Sequence, residues 1–306
     1  MNIIETHDLT RRYGSNEAVH DLNLAVKEGT VCSLLGPNGA GKSTTIKMLV
    51  NLLLPTTGDA SVLGVDSRNL GPRQFAQLGY VSENQKLPVW MTVRQLLDYC
   101  RPFYPTWDTG LERDLLKQLS LPEGQKLKNL SRGTLMKAAL LSSLAYRPKL
   151  LILDEPFSGL DPLARDELVK GIIEVSVAGD WTVLVSSHDI EEVERMTDHV
   201  ALLDGGRLRL SETTDALQAR FRKVEVDVPT EAAPGPGGPL PAGWNEFERS
   251  GQRVTFVDSA FEEARTRQAC LERFPGGSVA ARPMTLREIF LTLARTHRSE
   301  VKGVAA

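Results

Sequence analysis

The stretch Gly36-Pro-Asn-Gly-Ala-Gly-Lys-Ser43 decides the reading of this chain. It follows a run of apolar, β-forming residues, Thr30 to Leu35 (TVCSLL), and precedes a helix-period segment from Lys42 to about Leu53 that stops before Pro55. Strand, glycine-rich turn and helix in that order, with the spacing GxxxxGK[ST], make a phosphate-binding loop. Glycines at 36, 39 and 41 let the backbone curl so that successive N–H groups point at phosphate oxygens, and the helix start adds its positive dipole end. Lys42 is placed to reach the β- and γ-phosphates, and the Ser43 hydroxyl to ligate Mg²⁺.

Two further apolar runs extend the pattern outward. Lys149 to Leu153 (KLLIL) ends in Asp154-Glu155, and Trp181 to Ser186 (WTVLVS) ends in Ser187-His188. Buried strands covered by helices are expected over residues 1–220, as a parallel or mixed sheet. An acid at a strand end can approach a metal, and its neighbour can accept a proton from an attacking water. Between these strands a helix is punctuated by Asp161 as N-cap, Pro162 at the first helical position and Gly179 beyond the end. Residues 91–147 read as consecutive helices and are expected to form an inserted helical subdomain. Past residue 220 the composition shifts. Lys223 to Val228 and Arg253 to Val257 alternate like half-exposed strands, and helical pattern returns at Phe261 to Phe274 and Thr285 to Thr296. A Pro/Gly-rich loop is expected at 229–243, so residues 221–306 read as a small α+β accessory domain.

The composition sets the bounds. The chain has 306 residues, 41% hydrophobic and 25% charged, with a net charge of −3. That is twice the ~150-residue single-domain prior, with enough apolar residues for a sizeable core. The balance of charge gives no electrostatic case for nucleic-acid binding. No apolar run approaches the roughly 18 residues of a spanning helix, and the first residues carry no signal-peptide pattern, so the chain is not expected to cross a bilayer. Cys32, Cys100 and Cys270 are far apart and fit small buried residues in a reducing compartment.

With these motifs in this order, residues 1–220 resemble the ATP-binding subunits of ABC transporters. The resemblance implies a P-loop NTPase cassette: a RecA-like sheet core, an N-terminal antiparallel β part and the inserted helical subdomain. It places Tyr13 against adenine. It also assigns ATP binding to Gly36, Pro37, Asn38, Gly39, Ala40, Gly41, Lys42, Ser43 and Thr44. Leu130-Ser-Arg-Gly-Thr134 falls at the signature motif, where Ser131 caps a helix and Ser131 with Gly133 would face the γ-phosphate held by a second subunit. Ser158-Gly-Leu-Asp161 matches the segment that communicates between two nucleotide sites. Glu155 is implied as the catalytic base, His188 as a γ-phosphate contact, and Ser43, Glu83 and Asp154 as the Mg²⁺ residues. Two departures stand out: the usual LSGGQ has glycine where this chain has Arg132 and glutamine where it has Thr134, and many members carry glutamine at Glu83.

The segment Phe103-Tyr-Pro-Thr-Trp-Asp108, the LSRG signature and the terminal PMTLREIFLTLAR resemble the branch serving type-2 ABC permeases. The implied function is an ATP-hydrolysing subunit that drives a separate membrane permease, with export favoured. A homodimer is the expected pairing, on the cytoplasmic face of the membrane through that permease. The competing readings are a soluble ABC ATPase of translation or DNA repair, a small-molecule kinase, and a cassette that regulates a permease without turnover.

Overall fold

The computed structural model describes residues 1–179, 181–229 and 240–303, excluding the side chains of 174–179, 294 and 296–303. It divides into two compact units, Met1–Ser211 and Glu212–Ala306. The division expected after residue 220 falls instead at Ser211, and the helix Thr214–Arg220 packs on the second unit's terminal helix.

In the first unit the chain opens with β1 (Asn2–Tyr13), β2 (Asn16–Leu22) and β3 (Ala25–Lys27), an antiparallel group. It then enters the core through β4 (Val31–Leu35) and α1 (Lys42–Leu49). Strands β5 (Thr57–Val62) and β6 (Val65–Asp66) return to the first sheet. After the short α2 (Pro72–Phe75), β7 (Leu78–Ser82) joins the core sheet. The helices α3 (Val93–Cys100), α4 (Thr109–Gln118) and α5 (Arg132–Leu144) fill the expected helical insertion. The core resumes with β8 (Leu150–Asp154), α6 (Pro162–Gly179), β9 (Thr182–Ser187), β10 (His199–Asp204) and β11 (Arg207–Thr213).

The core sheet runs β11-β10-β4-β9-β8-β7, and β10, β4, β9, β8 and β7 are parallel. Every residue of β4, β8 and β9 is buried, as expected of parallel strands covered on both faces. Their adjacency brings the carboxyl ends of three strands to one edge, where open α/β sheets place ligands. α1 stops a turn earlier than the pattern suggests. Asn51 adopts a left-handed φ of 58°, and the amides of Leu52 and Leu53 fold back on the Lys47 carbonyl. Gly179 is the last residue of α6 rather than lying beyond it.

The helical subdomain is organised round a buried carboxylate. Glu112 is 2% exposed and accepts from Trp107 Nε1 at 2.7 Å, Arg101 Nη2 at 2.9 Å and Arg94 Nη1 at 2.5 Å. Burial pushes its pKa up, but the bonds from Trp107, Arg101 and Arg94 outweigh it and hold the group below its ordinary value of 4.5. A depressed carboxylate contributes stability that is present above 4.5 and lost as pH falls through the lowered native value. Glu112→Gln should cost about 1–3 kcal/mol at neutral pH. Its gap from wild type should close in acid, and urea melts at pH 7 and pH 3 measure both. An equal gap at the two pH values would refute the charge argument.

The second unit contains α7 (Thr214–Arg220), β12 (Arg222–Asp227), β13 (Trp244–Ser250), β14 (Arg253–Asp258), α8 (Glu263–Arg273), β15 (Ser278–Pro283) and α9 (Leu286–Gly303). Its sheet is antiparallel in the order β13-β14-β12-β15. The two strands expected from alternation, β12 and β14, are the central pair. The edges β13 and β15 were not expected: β15 is largely exposed and lacks a clean alternation. Trp244 stacks on Phe256 in the small core between sheet and helices. Most of the expected 229–243 loop, residues 230–239, lies outside the described residues.

Candidate functional site

The loop after β4 is shaped by close backbone approach. A Cβ at Gly36 would stand 2.2 Å from the Leu203 carbonyl oxygen, and one at Gly41, where φ is +100°, 2.4 Å from that of Ala18 on β2. Only glycine fits either place. Between them Pro37, Asn38 and Gly39 are exposed at the loop tip, while Ala40 is buried and its N–H returns to the Pro37 carbonyl at 3.1 Å. α1 then begins with Lys42, and Gly41 caps it without a side chain. Thr44 lies half-buried in the first turn.

Lys42 is 5% exposed, and its ammonium is fully engaged. It donates to the Gly36 carbonyl at 2.7 Å and the Pro37 carbonyl at 3.1 Å, and pairs with Glu155 Oε1 at 3.0 Å. The other carboxylate oxygen of Glu155 meets His188 Nδ1 at 2.8 Å. Three residues expected at the chemistry from separate motifs thus form one chain of contacts, Lys42–Glu155–His188. Glu155 turns out of β8 with a left-handed φ of 51°, and its N–H donates to Ser186 Oγ at 2.9 Å.

Asp154 is 3% exposed, and its Oδ1 accepts from Ser43 Oγ at 2.8 Å and from Ser186 Oγ at 2.9 Å. Burial raises its pKa, the two serine hydroxyls oppose that, and the neighbouring charge of Glu155 adds to the rise. Ser186 is the residue the motif reading missed. Its hydroxyl bonds both members of the acidic pair, and the duplicated serine before His188 was its only trace in the sequence.

The Glu83 N–H donates to the Asp154 carbonyl at 3.0 Å, while the Glu83 carboxylate pairs with Arg132. Ser131 caps α5, its Oγ accepting from the Thr134 N–H at 3.1 Å. Gly133 is buried, not open: a Cβ there would stand 2.8 Å from Ala164 Cβ on α6. Its lack of a side chain therefore serves helix packing as well as any ligand. Asp161 caps α6 as expected, Oδ1 accepting from the Ala164 N–H at 2.9 Å. Tyr13, at the end of β1, is 48% exposed with the Arg11 guanidinium 4.7 Å from its ring centroid.

The same region is matched by known proteins. The family model described as ABC transporter matches residues 19–158. The Nod factor export ATP-binding protein I of Neorhizobium galegae is 30% identical over 300 residues, covering 95% of this chain and 84% of that protein. The chain belongs to the ABC transporter family of ATP-binding proteins. A second model, AAA domain, putative AbiEii toxin, Type IV TA system, matches residues 123–194, the segment that holds β8 and its two acids. The probable multidrug ABC transporter ATP-binding protein YbhF of Escherichia coli (strain K12) is 36% identical over 237 residues, or 74% of this chain. The matched part is 40% of that relative's length, so this cassette corresponds to less than half of it. A solved structure described as an ATP-binding subunit of an ABC transporter aligns over 71% of this chain and 92% of its own, at 30% identity and a TM-score of 0.64. These matches support the cassette fold and give no support to the reading as a translation or repair ATPase.

Proposed function

We propose that this cassette binds and hydrolyses ATP to drive a separate membrane permease of the type-2 branch, in the direction of export. The observation that carries the reading is the contact chain Lys42–Glu155–His188 at the carboxyl edge of a parallel sheet, beside the Ser43–Asp154 pair. In this reading the loop amides and Lys42 orient the phosphates and oppose charge on the γ-phosphoryl group. Glu155 takes the proton of the attacking water, and His188 steadies the γ-phosphate from the next strand end.

Ser43 Oγ and Asp154 Oδ1 lie 2.8 Å apart. Both are oxygen donors of the kind Mg²⁺ takes, so together they would hold the ion, Ser43 directly and Asp154 through a water. Mg²⁺, when bound, supplies positive charge to the phosphates. Glu83 fits that set less directly, since its carboxylate is held by Arg132.

The partners follow from what the surface offers. Ser131 and Arg132, at the start of α5, face solvent, where the nucleotide of a second copy would meet them. Val89 and Trp90 just before the helical subdomain, and Tyr99 and Phe103 within it, expose large apolar side chains that a protein partner could cover. Among the described residues no helix is long and apolar enough to cross a membrane; in this reading a separate permease supplies the membrane part. One relative is a Nod factor export ATP-binding protein, which supports the export direction.

The test is phosphate release by the purified chain from ATP, with Mg²⁺ and with excess chelator. A companion experiment captures partners with tagged Glu155→Gln protein from detergent-solubilised membranes. Mg²⁺-dependent release and recovery of a multi-span permease are expected. No release from ATP, or partners that are ribosomal or DNA-repair proteins alone, would overturn the reading.

A further inference from the structure

The two places where this chain departs from the usual motifs of its family are in contact. Arg132 Nη2 donates to Glu83 Oε1, joining the start of α5 to the residue that follows β7. The same guanidinium lies over Gly159, in the loop between β8 and α6. A Cβ at Gly159 would stand 2.5 Å from Arg132 Nη1, and φ there is +67°. Both anchors are tied to the site. The Glu83 N–H donates to the Asp154 carbonyl, and the Ser158 N–H donates to the Glu155 carbonyl at 3.3 Å. One side chain therefore spans three segments: the start of α5, the residue after β7 and the β8–α6 loop.

Charge gives this contact a consequence. Glu83, whose N–H bonds the Asp154 carbonyl, adds a carboxylate to the region that phosphate must approach, and every further negative charge there opposes nucleotide. Arg132 neutralises it. Glutamine and glycine at these two positions would carry no charge, so the pair restores the neutral sum in a different way. We propose that Arg132 is a positioning residue for the ATPase site. Pairing with Glu83 and covering Gly159, it holds the β7–α3 and β8–α6 loops against α5, and Glu83 and Arg132 work as one unit. The proposal rests on the ATP-hydrolysis reading above.

A double-mutant cycle tests it: Glu83→Gln, Arg132→Gly and both together, in the full chain. The side chains are 27% and 48% exposed, so the coupling is modest. Each single variant should lower kcat about three- to tenfold; the ATP Kd should rise in Arg132→Gly, which leaves the Glu83 charge unneutralised, and change little in Glu83→Gln, and the double variant should return to within about twofold of wild type. The wild-type advantage over the single variants should shrink near 1 M NaCl while the double variant stays level, as expected of a screened pair. Arg132→Lys keeps the charge but lacks the planar fork that reaches Glu83 and Gly159 together, so it should fall between wild type and Arg132→Gly. It also serves if the glycine variant unfolds. Losses that add in the double variant, or no loss in either single variant, would overturn the proposal.

Hydrogen exchange over residues 83–86 and 156–161 reads the same cycle without turnover. Either single variant should speed exchange in both segments, and unchanged exchange would overturn the proposal. A wild-type chain inert toward ATP but showing the coupled exchange would defeat the ATPase reading and leave the contact unit standing.

Discussion

Glu155→Gln should lower ATP turnover roughly 10²–10⁴-fold while leaving ATP binding intact. The substitution keeps the side chain's length and the left-handed backbone that Glu155 already adopts at φ 51°, so the turn out of β8 is not newly strained. It removes the group that can accept a proton. It also changes the partner of Lys42, which now spends one contact on Glu155 Oε1 at 3.0 Å. An amide oxygen can still accept that bond but no longer carries the charge, so Lys42 turns to phosphate at lower cost. The variant should therefore bind ATP at least as tightly as wild type. Single-turnover phosphate release, measured beside titration with a fluorescent ATP analogue, separates the two effects. Undiminished release would remove Glu155 from the role of base, and lost binding would make it a structural residue of the loop.

Residues whose role is set by backbone shape were legible in the sequence. The loop glycines, the all-apolar strands and the helix caps at Ser131 and Asp161 follow from local rules, and each stands where those rules put it. The parallel core sheet likewise follows from its buried apolar runs, whereas the antiparallel N-terminal part was implied by the family resemblance alone. What local pattern could not supply were contacts made across the sheet. Ser186 bonds Asp154 and Glu155 from the neighbouring strand. Glu83 meets Arg132 from forty-nine residues away. Gly133 reads as a phosphate-facing position, and only the packing of α5 on α6 shows that Ala164 also requires it to lack a side chain. In the second unit, β13 and β15 are edge strands with one neighbour each, so they lack the strict alternation that identifies β12 and β14. The position of α7 is a matter of tertiary packing and moved the boundary to Ser211.

Lys42→Ala should act on binding itself, weakening ATP affinity by about 10- to 100-fold, the worth of a charge-assisted bond of roughly 1.5–3 kcal/mol. Two consequences of the truncation both weaken binding. Losing the ammonium removes the positive charge nearest the phosphates. It also leaves the Gly36 and Pro37 carbonyls without their donor, and Glu155, whose side chain is only 12% exposed, with His188 alone. The second consequence loosens the empty loop, which raises the cost of ordering it round a ligand. Against this, nucleotide no longer has to draw Lys42 away from Glu155, a saving smaller than the lost phosphate contact because that contact forms in the same buried place without an anion already paired. Lys42→Arg separates charge from fit. The guanidinium keeps the charge, but its planar fork does not suit a site 5% exposed whose two carbonyls and one carboxylate surround a point-like ammonium. Arginine should thus recover only part of the affinity. Equilibrium titration with ATP, run beside thermal unfolding to exclude a collapsed loop, decides the matter. Wild-type affinity in Lys42→Ala would show that the backbone amides alone hold the nucleotide and that the Lys42–Glu155 pair serves the loop's structure rather than its ligand.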